Sequence, residues 1–246
     1  MTEAIKIYHA IKTFIVPYDT NFKKIRLGTR MDSGYVIANM KTFDALYSYG
    51  CDNKFSFETD FWKKYECQCY LYDHTQNTIE NIPKYITFKK EGVADRKYTD
   101  MNTLDSHIID NGHTNSRNLF LQMDIEGAEW KSLLASKYLA NFSQIVIEFH
   151  LRLWDPEFIV NSKDVIDVLQ KLDKSFKCIH FHGNNSFKQP WYYKNKIPFV
   201  FEVTYVRKDC ISHHLKRTIQ FPEKGLDFPN LPHVPDLPIN YFMDEY

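Results

Sequence analysis

Acidic and histidine side chains recur where the apolar runs of this chain end. The groups are Gly50-Cys51-Asp52, Asp73-His74-Thr75, Gly92-Val93-Ala94-Asp95, Asp124-Ile125-Glu126-Gly127, Glu148-Phe149-His150 and His180-Phe181-His182-Gly183-Asn184-Asn185. In open α/β sheets, ligands bind just beyond the carboxyl ends of the strands. A purely structural rim would carry more neutral turn residues, so the pattern points to a functional one. Glu148 and His150 lie two apart in one strand-like run, which puts both side chains on one side. Such groups seldom share a core face without pairing or chemistry. Two chemistries fit. In one, a histidine (His150 or His182) takes a proton from a substrate hydroxyl, which suits a near-neutral imidazole. In the other, Asp124, Glu148 and His150 hold a divalent metal that grips two substrate oxygens and acidifies one. Carboxylate plus imidazole ligation favours Mg²⁺ or Mn²⁺ over Ca²⁺. For His180 a satisfied packing histidine is the plainer reading. Asn184 and Asn185 read either as turn formers or as hydrogen-bond donors to a substrate. Glu126 and Glu129 fall in the turn after Asp124, where one of them can cap helix amides instead of touching substrate.

The elements that must position these groups alternate. Glu3 to Phe14 has apolar residues at helical spacing. Met31-Asp32-Ser33-Gly34 reads as a turn before a short Tyr-Val-Ile strand. Strands are expected at Ala45–Tyr49, Cys67–Tyr72, Tyr85–Phe88, Leu119–Met123, Ile145–Phe149, Phe176–Phe181 and Phe199–Val206. Helices are expected at Ser56–Tyr65 with Ser56 as N-cap, Leu104–Ile109, Trp130–Leu139, and from Asn161-Ser162 onward. This alternation indicates a mostly parallel sheet covered by helices on both faces. The connection from Gly183 to Pro198 suits an antiparallel return strand. Prolines at 222, 229, 232, 235 and 238 bar a helix from the segment Phe221 to Tyr246, so an extended, surface-hugging tail is expected there. The division is a domain over 1–220, with the helix 3–14 as its cap, and a tail over 221–246.

Composition sets the outer bounds. The chain has 246 residues, 31 Lys+Arg against 31 Asp+Glu, and 43% hydrophobic residues. That is enough for one sizeable core, and the balance argues against nucleic-acid binding through bulk basicity. There are only 8 glycines, with no GxGxxG and no GxxxxGK[ST], which removes the dinucleotide fingerprint and the P-loop. Five cysteines in no CxxC pair argue against a zinc or disulfide framework. No apolar stretch is long enough for a transmembrane helix, and the N-terminus does not read as a signal peptide. A cytoplasmic protein is the expectation, either a monomer or a homo-oligomer. Gly50 allows close backbone approach to a ligand. Asp73 follows it by 23 residues, near the spacing at which a carboxylate receives ribose hydroxyls.

The segment Leu119-Phe-Leu-Gln-Met-Asp-Ile-Glu-Gly-Ala-Glu-Trp130 resembles the KxDIEGxE motif of FkbM-type methyltransferases, which use S-adenosylmethionine (SAM). Arg30-Met-Asp-Ser-Gly-Tyr-Val-Ile37 resembles their upstream DGGYV segment. Tyr47-Ser-Tyr-Gly-Cys-Asp-Asn-Lys-Phe-Ser-Phe-Glu58 resembles their first SAM loop, and Tyr72-Asp-His-Thr75 their acidic strand end. His182-Gly-Asn-Asn185 and Phe201-Glu-Val-Thr-Tyr205 resemble late segments of the family. The likeness covers residues from about 26 to 208. It implies a class I methyltransferase (Rossmann-like) α/β fold, a seven-stranded, mostly parallel sheet with an antiparallel last strand. It implies that Gly50, Asp52, Glu58, Asp73, His74, Asp95 and Asp124 surround SAM, with Asp124 where the methyl points. Glu126, Glu148, Asn184 and Asn185 would meet the acceptor. The activity implied is O-methylation of a small sugar or nucleotide-sugar in capsule or surface-polysaccharide synthesis. Two departures stand out: the first loop has only Gly50 where most carry two or three glycines, and Ser33 replaces a glycine. A non-catalytic SAM-fold binding module and a nitrogen or carboxyl acceptor are the alternatives.

Overall fold

The computed structural model describes residues 1–51, 55–76, 82–151, 160–186, 191–194, 196–212, 216–218 and 220–240. A first helix, α1 (Glu3–Phe14), starts at an N-cap Thr2 whose side chain accepts from the Ile5 amide at 3.4 Å. Its buried stripe is Ile7, Tyr8, Ala10 and Ile11. A hairpin of β1 (Lys24–Gly28) and β2 (Gly34–Ala38) follows. Five units then build the sheet: β3 (Ala45–Tyr49), α2 (Ser56–Tyr65), β4 (Gln68–Tyr72), β5 (Ile86–Lys89), a short parallel pair β6 (Gly92–Ala94) and β7 (Met101–Thr103), α3 (Leu104–Asp110), β8 (Leu119–Met123), α4 (Glu129–Ala135), β9 (Phe142–His150), α5 (Ser162–Ser175), β10 (Phe176–Gly183) and β11 (Val200–Arg207).

The seven-stranded order is β10-β11-β9-β8-β3-β4-β5. Every pairing in it is parallel except those of β11, which runs antiparallel to both β9 and β10. This is the sheet expected from the sequence. The pleat sends alternate residues to opposite faces. Tyr47, Leu121, Ile145 and Val203 enter one core with α1, α4 and α5, while Leu46, Phe120 and Val146 enter a second core with α2 and the hairpin. Buried polar residues in the strands stitch the hairpin to the sheet. Gln144 exchanges two hydrogen bonds with the backbone of Ala38 (2.6 and 3.0 Å), and the Thr204 hydroxyl donates to the Val36 carbonyl (2.5 Å).

Three local expectations differ from the structure. Ser56 is not the N-cap of α2: Phe55 holds that position without a side-chain bond, and the Ser56 hydroxyl donates to the Ser33 carbonyl instead. The helix expected over 130–139 stops at Ala135, where Ser136 turns extended and the next amide, Lys137, donates to the Asp105 carboxylate at 3.0 Å; a 3₁₀ turn follows at Leu139–Asn141. The tail is extended but does not merely hug the surface. Phe221, Leu237 and Ile239 are buried in the larger core, because apolar side chains every few residues gain more from burial than exposed prolines give up.

Candidate functional site

A cavity of about 770 Å³ opens at the carboxyl ends of β3, β4 and β8, beside β6. Seven carboxylates (Asp32, Glu58, Asp73, Asp95, Asp124, Glu126 and Asp164) and a single lysine, Lys131, line it among the described residues. That charge suits a cationic or neutral ligand and opposes a bare phosphate at its floor.

The walls are built by the strand-end turns. Gly50 adopts φ +81°, and a Cβ there would sit 1.8 Å from the Asp124 carbonyl oxygen. The glycine therefore serves close contact between two strand ends, while also lining the cavity. Asp73 closes the same turn. One of its oxygens accepts from the Cys51 amide (3.1 Å), the other from the Thr75 amide and hydroxyl (2.8 and 2.6 Å). Burial pushes the Asp73 carboxyl up, but these bonds outweigh it and hold it below the ordinary range. Gly92 leaves room for His74, whose Nδ1 would lie 2.7 Å from a Cβ at that position. Asp95 is exposed at the mouth beside Tyr98. Glu58 is buried; Ser48 donates to its Oε1 at 2.5 Å, while its Oε2 is buried without a hydrogen-bond partner. Burial lifts the Glu58 carboxyl to about 7 despite that bond. Asp52 lies outside the described residues.

Behind the part of the wall formed by Asp124 and Glu126, the structure brings four predicted residues together. His150 Nε2 stands 3.8 Å from Asp124 Oδ1, 3.8 Å from Glu148 Oε1 and 3.7 Å from Glu126 Oε2. One ligand atom from each of Asp124, Glu148 and His150 falls within 4.8 Å of the others. Asp124 Oδ1 and Glu148 Oε2 are buried and make no hydrogen bond among the described residues. The Asp124 side chain is 28% exposed, whereas Glu148 and His150 are almost wholly enclosed. Burial, together with neighbouring carboxylates, raises both Asp124 and Glu148 above the carboxylate range. For His150, burial alone would lower the pKa, but Glu129, Glu148 and Asp124 raise it to about 9.

The other predicted groups lie apart. Glu148, Glu202 and His182 are register partners on β9, β11 and β10, which sets His182 two strands, roughly 10 Å, from Glu148. His182 Nε2 meets Asp236 of the tail at 3.0 Å, and its Nδ1 lies 3.6 Å from Glu202. Asn184 donates to Glu148 Oε1 at 3.0 Å. Asn185 grips the tail through the carbonyls of Leu231, Val234 and Pro235 and the Leu231 amide. His180 is paired through Nε2 with Asp227 at 2.7 Å, while its buried Nδ1 lies 3.6 Å from Glu223 without a hydrogen bond among the described residues.

The sequence reading left three site groups unassigned. Asp32 and Glu202 join Asp124 and Glu148 in raising the Tyr35 phenol, after burial itself. Gln122 donates to that phenol at 3.2 Å, and its Oε1 lies 2.6 Å from the Ser48 hydroxyl. A carboxylate inside the apolar run of β11 was the available signal for Glu202, and the single glutamine in β8 the signal for Gln122.

Residues 26–177 match the methyltransferase FkbM domain. No curated protein gives a match. Among solved structures, the chain is similar to "Putative hemolysin from Streptococcus thermophilus", at 14% identity and a TM-score of 0.42. The likeness covers 70% of this chain and 62% of that one.

Proposed function

The chain belongs to the FkbM methyltransferase family, and from that membership we propose that it transfers a methyl group from SAM to a sugar hydroxyl. The acceptor would be a glycan or nucleotide-linked sugar in the building of a capsule or other surface polysaccharide. One observation carries the reading: Asp124 and Glu126 line a cavity at the carboxyl ends of the sheet, and the buried His150 stands within 3.8 Å of both of them and of Glu148. The cavity fits SAM chemically. Its carboxylates complement a sulfonium cation, and Val93, Ala94, Met101 and Tyr98 offer an apolar wall for a purine. SAM supplies an electrophilic methyl. The chain's own residues supply alignment, which in a displacement of this kind accounts for much of the rate.

Proton removal admits two readings, and the carboxylates around His150 favour one. With its pKa raised to about 9, His150 is already protonated near neutrality and is a poor acceptor for a hydroxyl proton. A divalent cation held by Asp124, Glu148 and His150 would replace that proton and render the acceptor hydroxyl more acidic. Asp124 Oδ1 and Glu148 Oε2, buried without hydrogen bonds, are the oxygens suited to it.

The test uses purified protein, methyl-labelled SAM and a panel of glycans and sugar nucleotides, with Mn²⁺ or with EDTA. Label in an ether-linked product, lost in EDTA, is the expected result. EDTA-insensitive turnover would return the base role to His150. Label on nitrogen or as a methyl ester would change the acceptor, and SAM binding without transfer to any acceptor would reduce the chain to a binding module.

A further inference from the structure

Glu129 is fully buried at the start of α4 and forms a junction that the proposed chemistry does not itself use. Its Oε1 accepts from three donors: the Ile125 amide at 3.2 Å, the Gly127 amide at 3.2 Å and His150 Nδ1 at 2.7 Å. The two amides belong to the turn that carries Asp124 and Glu126. That turn is backbone-strained, with Glu126 at φ 59° and Gly127 at φ 113°, and a non-glycine residue in the left-handed region persists only where its surroundings impose it. The third donor fixes the imidazole. With Nδ1 turned to Glu129, Nε2 is the nitrogen left facing Asp124, Glu126 and Glu148. The neighbouring Trp130 donates from Nε1 to the His150 carbonyl at 2.9 Å, so α4 grips His150 at both ring and backbone.

We propose that Glu129 is the positioning residue of the site: one carboxylate oxygen sets both the turn that aims Asp124 and Glu126 and the ring orientation of His150. This rests on the proposed reading of Asp124, Glu148 and His150 as a joint cation site. A carboxylate behind a ligating histidine is the arrangement that commonly orients such a ligand, and its loss weakens metal binding about 10- to 100-fold.

The experiment compares wild type with Glu129→Gln and Glu129→Ala in the full chain. Three quantities are read: Mn²⁺ affinity, S-adenosylhomocysteine affinity and amide exchange at Ile125 and Gly127. Gln keeps an oxygen for the two amides but carries no charge, so Glu129→Gln should lose about 10- to 100-fold in Mn²⁺ affinity with near-native exchange. Glu129→Ala should lose the same affinity and also exchange faster at both amides. S-adenosylhomocysteine should bind Glu129→Gln, which keeps the turn, as it binds wild type. Native Mn²⁺ affinity in both variants overturns the proposal, as does a parallel loss of S-adenosylhomocysteine in Glu129→Gln, which signals only a damaged fold. If wild type itself ignores Mn²⁺, the cation reading fails. Exchange in Glu129→Ala then decides alone, and an unchanged rate overturns the role of Glu129.

Discussion

Asp124→Asn should lower turnover at least about 100-fold, the loss seen when one preorganised electrostatic group is removed from a catalytic site, and should melt at a higher temperature than wild type. The two effects share one cause. Asp124 sits at the end of the central strand with one oxygen buried and unbonded, 3.8 Å from His150 and surrounded by Glu148, Glu129, Glu202 and Asp32. Holding a charge there in the empty protein costs free energy, because burial and the like-charge neighbours together outweigh the attraction of His150. An asparagine keeps the shape and removes the charge, so the fold is relieved. The same charge is what a cation or a developing positive centre would need, so function is lost. Such opposition of stability and activity is usual where a site stores unfavourable electrostatics. Melting curves in EDTA, paired with methyl-transfer rates, check both halves. An active Asp124→Asn would remove Asp124 from the chemistry, and a lower melting point would show that its charge is already compensated in the fold.

Asp227→Asn should destabilise the whole domain by about 3 kcal/mol, the lower range for breaking a buried ion pair. For a chain of this size that is about 6–12 °C in the melting midpoint. Asp227 meets His180 Nε2 at 2.7 Å, with both side chains essentially out of solvent, and its second oxygen accepts from the Glu223 amide at 2.6 Å. The pair fastens a tail whose Phe221, Leu237 and Ile239 complete the larger core. Its pH window follows from the two partners. Burial pushes Asp227 up, but His180 above all draws it down to about 2. A lowered carboxyl stabilises the fold above its unfolded value near 4, and that stability is lost as pH falls toward 2. His180 is disfavoured by burial but raised overall by Asp227 and Glu223. A raised histidine stabilises below its unfolded value of about 6.5, and that stability is lost as pH rises through the folded one. The gap between wild type and Asp227→Asn should therefore be widest from about pH 4 to 6.5 and should narrow on either side. Calorimetry across that range reads it. Equal midpoints at pH 6 would mean that the pair does not hold the tail.

The strands and their directions were legible in the sequence because each strand is a short apolar run closed by a polar turn, and βα alternation with one antiparallel return fixes which run parallel. The spatial order is set by packing that the sequence pattern does not show. Asp124, Glu148 and His150 were legible too, since a strand end and a two-residue spacing fix where such side chains emerge. What stayed hidden depended on partners distant in the chain. Gly50 reads locally as a ligand glycine, and only the Asp124 carbonyl lying against it reveals the packing role. His182 reads as a second candidate base until Asp236, 54 residues on, is seen to hold it. Asn185 resembles a substrate donor until the carbonyls of the tail appear around it. Glu202 lies in a strand whose apolar neighbours dominate any periodicity, and its place beside Glu148 comes from sheet register alone.

If the acid-lined cavity at the strand ends is a SAM site, calorimetric titration of SAM into the wild-type chain will register a single site with a Kd of about 1–100 µM, within the range usual for enzyme substrates. No heat up to millimolar SAM would contradict that assignment.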